Sequence, residues 1–212
     1  MPLLREWDIS DSGLAAVWKI EEAEAFFTGH TGLYPEINNE KRRMEHLAGR
    51  YLLRHLERDF PLHRVVRDQH NKPRLDDNSF YFSVSHSWPY AAAILDTRED
   101  TGIDIQMWTP RIVGIQQKFL SEAEQAFCRN DHRLITLAWC AKEAVYKWHG
   151  KKGLVSFMEH LPITYLHEED GICEARIDFQ LAEVVPLPIT LRGYAAADHG
   201  CMWVQQVGSA AI

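Results

Sequence analysis

A stretch in the second half of the chain, residues 137–148, constrains the fold more than any other part of the sequence. It has no glycine or proline and is rich in alanine, leucine, lysine and glutamate, so it predicts an α-helix. A rotation of about 100° per residue divides this helix into two faces. The face predicted to lie in the core contains Leu137, Ala141, Ala144, Val145 and Trp148. The opposite face contains Trp139, Lys142, Glu143, Tyr146 and Lys147.

Glu143 and Lys147 are one helical turn apart, so a carboxylate and an ammonium group lie side by side. The simplest interpretation is a solvent-exposed pair that contributes a few tenths of a kcal/mol, roughly 0.2–0.5, to the stability of the helix. Upstream, between Thr101 and Gln106, apolar and polar residues alternate, and this stretch favours a functional interpretation of the pair. It predicts a strand with Asp104 and Gln106 on one side, because alternate residues of a strand share a face.

A third stretch, Phe82 to Ser87, is a predicted strand that ends in the polar cluster Ser85-His86-Ser87. Three motifs occur in order along the chain: this polar cluster, then Gly102-Ile103-Asp104, then Trp139-x-x-Lys142-Glu143-Ala144-x-x-Lys147. Together they resemble the signature of the 4′-phosphopantetheinyl transferases. Their spacing looks like the larger, pseudo-dimeric type that activates surfactin-type peptide synthetases, since the small trimeric holo-acyl-carrier-protein synthases are about half this length.

The resemblance implies an enzyme that moves the 4′-phosphopantetheine arm of coenzyme A onto a serine of an apo acyl or peptidyl carrier protein and releases 3′,5′-ADP. It implies Mg²⁺ as the cofactor, held by Asp104 and Glu143 with Gln106 beside them. Glu143 would also act as the general base, and Lys147 would stabilise the leaving phosphate. The structural alternative for Asp104 is a residue that caps a turn at the end of its strand.

Six residues are implied as contacts of coenzyme A: Arg43, Lys72, Pro73, Ser85, His86 and Lys142. Ordinary structural explanations exist for some of them. His86 also fits a hydrogen-bonded residue at a strand end, and Arg43 also fits the solvated basic side of a helix that carries Arg42, Arg50 and Arg54. Lys142, on the outer helix face, is expected to contact the pyrophosphate or the pantetheine.

Position 106 departs from the family pattern, which has a third acid two residues after the aspartate. The glutamine found here brings a carbonyl oxygen but no charge. We therefore expect a site with two carboxylates and an additional water, as in the small relatives.

The composition and charge of the whole chain narrow its class. The chain has 212 residues, of which 46% are hydrophobic and 25% charged, and a net charge of −7, which argues against general binding of nucleic acid. The four cysteines have no metal-binding or disulfide spacing, and no apolar run is long enough to span a bilayer. We expect a cytoplasmic, monomeric protein without membrane or nucleic-acid partners.

The predicted fold is α+β, with two similar halves, residues 1–99 and 100–212, each a small antiparallel sheet packed against a long helix. Short matches between the halves suggest a pseudo-two-fold relation. The first half would bind the nucleotide of coenzyme A, the second would hold the metal and the catalytic helix, and the active site would lie in the groove between them. Near the N-terminus, Ser10-Asp11 predicts the start of a helix that continues to Ile20.

Two alternatives of other classes stay open. One is a non-catalytic module that binds coenzyme A or a carrier protein and derives from the same fold. The other is an unrelated α/β protein in which the motifs occur by chance. The sequence also leaves open whether the carrier belongs to a fatty-acid, polyketide or peptide synthase.

Overall fold

The structure, a computed structural model, describes residues 2–151, 153–181 and 185–208. The chain divides into two compact units, Met1–Thr101 and Gly102–Ile212. Each unit contains an antiparallel sheet and a long helix packed on it. The α+β class is therefore confirmed, whereas the pseudo-two-fold relation between the halves stays a prediction.

The first unit contains a four-stranded sheet and a separate two-stranded one, with strand orders β1-β2-β6-β5 and β3-β4. Its strands are β1 (Leu3–Ser10), β2 (Gly13–Lys19), β3 (Val65–Arg67), β4 (Pro73–Leu75), β5 (Tyr81–Ser87) and β6 (Tyr90–Asp96). Its helices are α1 (Glu24–Thr31), α2 (Glu40–Leu56) and a 3₁₀ turn, Leu62–Arg64. The long helix α2 packs on β2, β5 and β6.

The helix predicted after Ser10-Asp11 is wrong, because this segment is strand β2, paired antiparallel with β1 and β6. Ala15, Ala16 and Val17 are all fully buried. Since successive residues of a strand point to opposite faces, both faces of β2 are covered at this point. Such a strand lacks the alternation of polar and apolar residues, and a short apolar run cannot be distinguished from a buried helix by its period.

The second unit contains one five-stranded antiparallel sheet with the order β7-β11-β10-β9-β8. Its strands are β7 (Ile103–Met107), β8 (Ile163–Glu169), β9 (Ile172–Phe179), β10 (Leu187–Ala195) and β11 (His199–Val207). Its helices are a 3₁₀ segment (Pro110–Lys118), α3 (Glu122–Cys128) and α4 (His132–His149). Within the described residues, no helix is both long enough and apolar enough to cross a membrane.

Helix α4 is the helix predicted from residues 137–148. It begins after Asp131, whose carboxylate accepts hydrogen bonds from two backbone N–H groups of the first turn. It ends at Gly150, which has the positive φ of 77° that a helix C-terminus favours in glycine. Four of the five predicted core residues are buried, and Trp148 is half-buried. The helix packs on β7 and β11 and so lies against the strand that carries Asp104.

Candidate functional site

Asp104 lies on β7, is almost fully buried and has charged and polar neighbours. Lys147 of α4 places its Nζ 2.6 Å from Oδ1 of Asp104 and also donates to the carbonyl oxygen of Ile103 at 3.1 Å. Nε2 of Gln106 donates to the other carboxylate oxygen, Oδ2, at 3.1 Å. The predicted residues of the strand and the helix therefore meet at the Asp104 carboxylate.

The buried thiol of Cys140, on α4, is a further neighbour of this carboxylate. Burial raises the pKa of the Cys140 thiol well above its usual value, and the nearby charge of Asp104 acts in the same direction. The thiol is therefore protonated, and it donates to the carbonyl oxygen of Gly200 on β11 at 3.8 Å. Cys140 thus places an uncharged side chain next to Asp104.

Gly102 brings β7 close to the backbone of α4. A Cβ atom at this position would overlap the carbonyl oxygen of Ala144 and would lie 2.7 Å from the backbone nitrogen of Trp148. Only a residue without a side chain allows this approach. The glycine of the Gly-Ile-Asp motif thus sets the distance between the Asp104 strand and helix α4.

Glu143 is half-buried on α4, one turn before Lys147. With Asp104 it would supply carboxylate oxygens, and Gln106 would supply a neutral oxygen after its amide turns, a set of hard donors that suits Mg²⁺. An ion at Asp104 would have to displace the Lys147 ammonium from Oδ1. Among the described residues, no group of three or more His, Cys, Asp or Glu side chains is arranged for a metal.

The exposed position predicted for Lys142 is wrong. Its side chain is fully buried, and its Nζ lies 2.7 Å from Oε1 of Glu124. It also donates to the carbonyl oxygens of Phe119 at 2.8 Å and Phe157 at 2.9 Å. An ammonium has three donors, so all of them are used inside this unit. A contact with coenzyme A would require Lys142 to break these bonds.

Glu124 explains why Lys142 is buried. Its carboxylate also accepts from the backbone N–H of Ser121, in the capping box of α3, and from the N–H of Ile163 at the start of β8. Burial lowers the pKa of Lys142, and the hydrogen bond and charge of Glu124 oppose that shift. The pair therefore joins α4 to four backbone groups and acts as an internal anchor.

In the first unit, Arg43 is already bound within the protein. Its Nε and Nη2 donate to the two carboxylate oxygens of Glu24 at 2.8 and 2.9 Å, and its Nη1 donates to the carbonyl oxygen of Ile37 at 2.6 Å. The hydrogen bond with Glu24 raises the pKa of Arg43. As a contact of coenzyme A, Arg43 would have to exchange this bidentate pair for a phosphate.

The other predicted contacts lie on β4, β5 and the turn before β4. Lys72 forms an ion pair with Asp100 at 2.6 Å, and Pro73, the next residue, begins β4. Ser85 is buried on β5, and His86 is exposed. Nδ1 of His86 lies 3.2 Å from Oε2 of Glu45, a buried carboxylate of α2.

A group of basic side chains that the sequence did not single out lies around His46 of α2. We call His46, Arg50, Arg67 and His86 the cation cluster, a name that refers to its two arginines. Burial, then Arg50, Arg67 and His86, lower the pKa of His46 to about 4. Burial, then Arg67, lower the pKa of Arg50 to about 10. In both cases burial of the group itself is the main cause and neighbouring positive charge adds to it, while Arg67 and His86 are exposed.

The two arginines of the cation cluster have no carboxylate partner within the described part of the chain. Arg67 makes one long hydrogen bond, 3.4 Å, to the carbonyl oxygen of Asn71. The sequence signal for this cluster was weak: Arg50 looked like one of several arginines on a helix, and Arg67 follows a short strand about which the sequence says little. A half-buried guanidinium and an exposed one, neither of them paired with a carboxylate, are typical ligands for an anion.

Two comparisons with known proteins agree with the motifs. Residues 100–195 match the family model of the 4′-phosphopantetheinyl transferase superfamily, and this range contains Asp104, Gln106, Glu143 and Lys147. The chain is similar to the 4′-phosphopantetheinyl transferase AcpT of Escherichia coli O157:H7, with 27% identity over 169 residues, 76% of this chain and 84% of the relative. These two matches confirm the superfamily to which the motifs pointed, whereas the large pseudo-dimeric type stays a prediction.

Proposed function

We propose that this protein transfers the 4′-phosphopantetheine arm of coenzyme A to a serine of an apo carrier protein and releases 3′,5′-ADP. The observation that carries the proposal is the contact of Lys147 with Asp104, at 2.6 Å, within the region that matches the superfamily. The name of the relative in Escherichia coli supports the same chemistry.

In this reaction the serine hydroxyl oxygen attacks the β-phosphorus of coenzyme A, the one that bears the pantetheine. A new P–O bond forms, and the bond from this phosphorus to the bridging oxygen breaks, so 3′,5′-ADP leaves with that oxygen. Glu143 takes the proton of the hydroxyl, directly or through a water. Lys147 neutralises the charge that develops on the leaving phosphate, since phosphoryl transfer depends mainly on positioning and charge stabilisation.

Asp104 and Glu143 would hold Mg²⁺, with Gln106 as a neutral third contact. Bound there, the ion would neutralise the pyrophosphate of coenzyme A. Lys147 would then release Asp104 and become available to the phosphate.

The cation cluster of the first unit is our proposed phosphate site for the nucleotide of coenzyme A. Arg50 and Arg67 have no carboxylate partner in the described part of the chain, and His86, which contacts Glu45, lies near His46 of the same cluster. Lys72, Pro73 and Ser85 stay predicted contacts. We also propose that the protein acts as a cytoplasmic monomer, with the nucleotide bound by the first unit and the metal and catalytic helix in the second.

The test is a mass measurement of apo carrier proteins of the fatty-acid, polyketide and peptide types after incubation with coenzyme A, Mg²⁺ and this protein. One carrier should gain one phosphopantetheine, and a Ser→Ala variant of that carrier should gain none. EDTA should stop the transfer, and excess Mg²⁺ should restore it. Glu143→Gln should abolish the gain in mass without changing the unfolding midpoint.

A non-catalytic module that binds coenzyme A or a carrier is the second candidate. It is favoured by one observation: Lys147 and Gln106 occupy both oxygens of the Asp104 carboxylate. Binding of coenzyme A without modification of any of the three carrier types would support the module. A gain in mass on any carrier would exclude it.

A further inference from the structure

Glu143, the proposed general base, lies between two aromatic residues on one face of α4. Trp139 precedes it by four positions and Tyr146 follows it by three, and all three side chains are half-buried. At about 100° per residue these positions fall within an arc of roughly 60°. The two aromatic positions are about 10.5 Å apart along the helix axis. A side chain that contacts both rings therefore lies over the part of α4 that carries Glu143.

Phe157, in the turns that follow α4, contacts both of these rings. The centre of its ring lies 5.3 Å from that of Trp139 and 5.4 Å from that of Tyr146. Phe119 also packs on Trp139, with ring centres 4.9 Å apart. These separations are typical of favourable aromatic pairs. We call Phe119, Trp139, Tyr146 and Phe157 the aromatic wall.

The backbone of Phe157 is fixed independently of its ring. Its carbonyl oxygen accepts a hydrogen bond from Nζ of Lys142, the residue before Glu143, at 2.9 Å. Around it, the N–H of Ser156 donates to Nδ1 of His160 at 2.8 Å, and the N–H of His160 donates to the carbonyl oxygen of Ser156 at 2.9 Å. Hydrogen bonds and two aromatic contacts together hold the Phe157 ring over α4.

We propose that Phe157 is a positioning residue that acts through Glu143. A glutamate side chain has several rotatable bonds, and the aromatic wall restricts the directions that the Glu143 carboxylate can take. A carboxylate that is already directed towards the attacking hydroxyl gives a faster reaction, because its orientation is set in the folded protein before the substrate arrives. The proposal rests on the proposed function, which gives Glu143 its role as the base.

Phe179, on β9, offers a matched control because it also packs on two rings of α4. The centre of its ring lies 6.0 Å from that of Trp148 and 4.8 Å from that of His149, in the last turn of the helix. Truncation of either phenylalanine takes an aromatic ring away from α4. Of the two, Phe157 alone lies over Glu143.

The experiment is a steady-state assay with coenzyme A and the apo carrier that the wild-type protein modifies, together with urea unfolding of each variant. Phe157→Ala should lower kcat by roughly 10- to 100-fold, as a misplaced catalytic group does, and leave KM for coenzyme A and for the carrier unchanged. Phe157→Tyr, which keeps the ring, should retain most of the rate. Phe179→Ala should lower the urea midpoint and leave kcat unchanged.

A double-variant cycle with Glu143→Asp tests whether Phe157 acts through Glu143. Aspartate is one methylene shorter, so the carboxylate is already misplaced, and single-turnover rates measure the activity that is left. Adding Phe157→Ala to Glu143→Asp should slow the reaction by a smaller factor than in the wild-type protein, because the two side chains form one functional unit. Equal factors in the two backgrounds would overturn the positioning role.

The remaining outcomes are equally defined. An unchanged kcat in Phe157→Ala, or an equal loss of kcat in Phe179→Ala, would show that the ring only stabilises α4. A higher KM for coenzyme A at constant kcat would make Phe157 a substrate contact instead. If Phe157→Ala does not fold, Phe157→Leu takes its place under the same criteria. All of these results require an active wild-type protein, whereas a wild-type protein that modifies no carrier overturns the proposed function and the positioning role with it.

Discussion

Each unit contains a glutamate on a short helix that forms an ion pair with a basic residue of the long helix. In the first unit this pair is Glu24 and Arg43, whose side chains are 38% and 22% exposed. In the second unit it is Glu124 and Lys142, at 3% and 0%. The same arrangement is thus a partly solvated contact in one unit and a fully buried anchor in the other.

The two units also differ in whether the basic residues near the predicted site have an acidic partner. In the second unit, Lys142 and Lys147 are both bonded to acids of their own unit. In the first unit, Arg50 and Arg67 lie close together with no acidic partner in the part of the chain that the structure describes. Lys142 and Lys147 thus hold the long helix of the second unit through ion pairs, whereas Arg50 and Arg67 of the first unit keep the donors that we propose bind an anion.

Breaking the buried anchor should have the largest effect. Lys142→Ala should lower the free energy of unfolding by about 3–5 kcal/mol, because it leaves Glu124 charged and buried without its partner. Arg43→Ala, the matched change in the first unit, should barely move the unfolding midpoint in urea. Urea titrations of both variants measure the contrast.

The double variant Lys142→Met with Glu124→Gln sharpens this test. It removes both charges and keeps similar volumes, so it should recover part of the stability lost in Lys142→Ala. If Lys142→Ala unfolds at the wild-type urea concentration while its affinity for coenzyme A falls, Lys142 is a ligand residue after all and the buried anchor is not its main role.

The open cations of the first unit should show the next largest effect. Arg50→Ala should weaken the binding of coenzyme A by about 10- to 100-fold, since hydrogen bonds between charged groups contribute about 1.5–3 kcal/mol. Arg43→Ala should weaken it less, because the Arg43 donors are already bonded to Glu24 and Ile37. Calorimetry with coenzyme A compares the two. A larger loss for Arg43→Ala would mean that Arg43 leaves Glu24 to bind the ligand.

A smaller effect is expected at Gln106. Its neutral contact with Asp104 is of the kind that contributes about 0.5–1.5 kcal/mol, so Gln106→Ala should slow the transfer by roughly tenfold at most. Gln106→Glu should lower the Mg²⁺ concentration that gives half-maximal rate, because it adds a carboxylate. A Mg²⁺ titration of the rate checks both, with Asp104→Ala as the reference for the loss of a charged ligand. A loss in Gln106→Ala as large as that in Asp104→Ala would make the amide an essential ligand.

The smallest effect concerns pH. The pKa of His46 is about 4 in the folded protein and 6.5 in an unfolded chain, so between these values only the unfolded chain binds the proton. Stability should therefore fall as pH decreases from 6.5 towards 4, by at most about 1 kcal/mol between pH 7 and pH 5 given the partial exposure of the ring. His46→Gln should lose less stability over this interval in urea titrations. An identical loss in both proteins would place His46 in solvent.

Much of the fold could be predicted from the sequence because periodic signals were strong. Helix α4 and the strands that carry Ser85 and Asp104 were all readable from the spacing of their apolar residues. Strand β2 was not, since its run of buried residues has no period that separates a strand from a helix. The sheet around it decides its conformation.

At the site, Asp104 and Lys147 were predicted and meet in the structure, but the environment of Lys142 was not readable. A helical projection places Lys142 beside Glu143, outside the core. Its burial depends on Glu124 and on two carbonyl groups that are remote in sequence and come together only in the folded unit. The cation cluster was missed for the same reason, because Arg50 and Arg67 are brought together by packing and not by spacing.

The close approach at Gly102 has a consequence for which positions of the site tolerate change. The obstacle there is the first atom of any side chain, so size, charge and polarity of the substituent are irrelevant, and alanine already collides with the backbone of Ala144. At position 106 the outcome depends instead on chemistry, since amides, acids and waters can each supply an oxygen. In a saturation library selected for transfer activity, only glycine should be recovered at position 102. At position 106 several residues should be recovered, with activities that differ from one another. Two positions four residues apart would then differ in kind: position 102 is a spacer that admits no alternative, and position 106 is an adjustable contact through which the proposed dependence on Mg²⁺ could be changed.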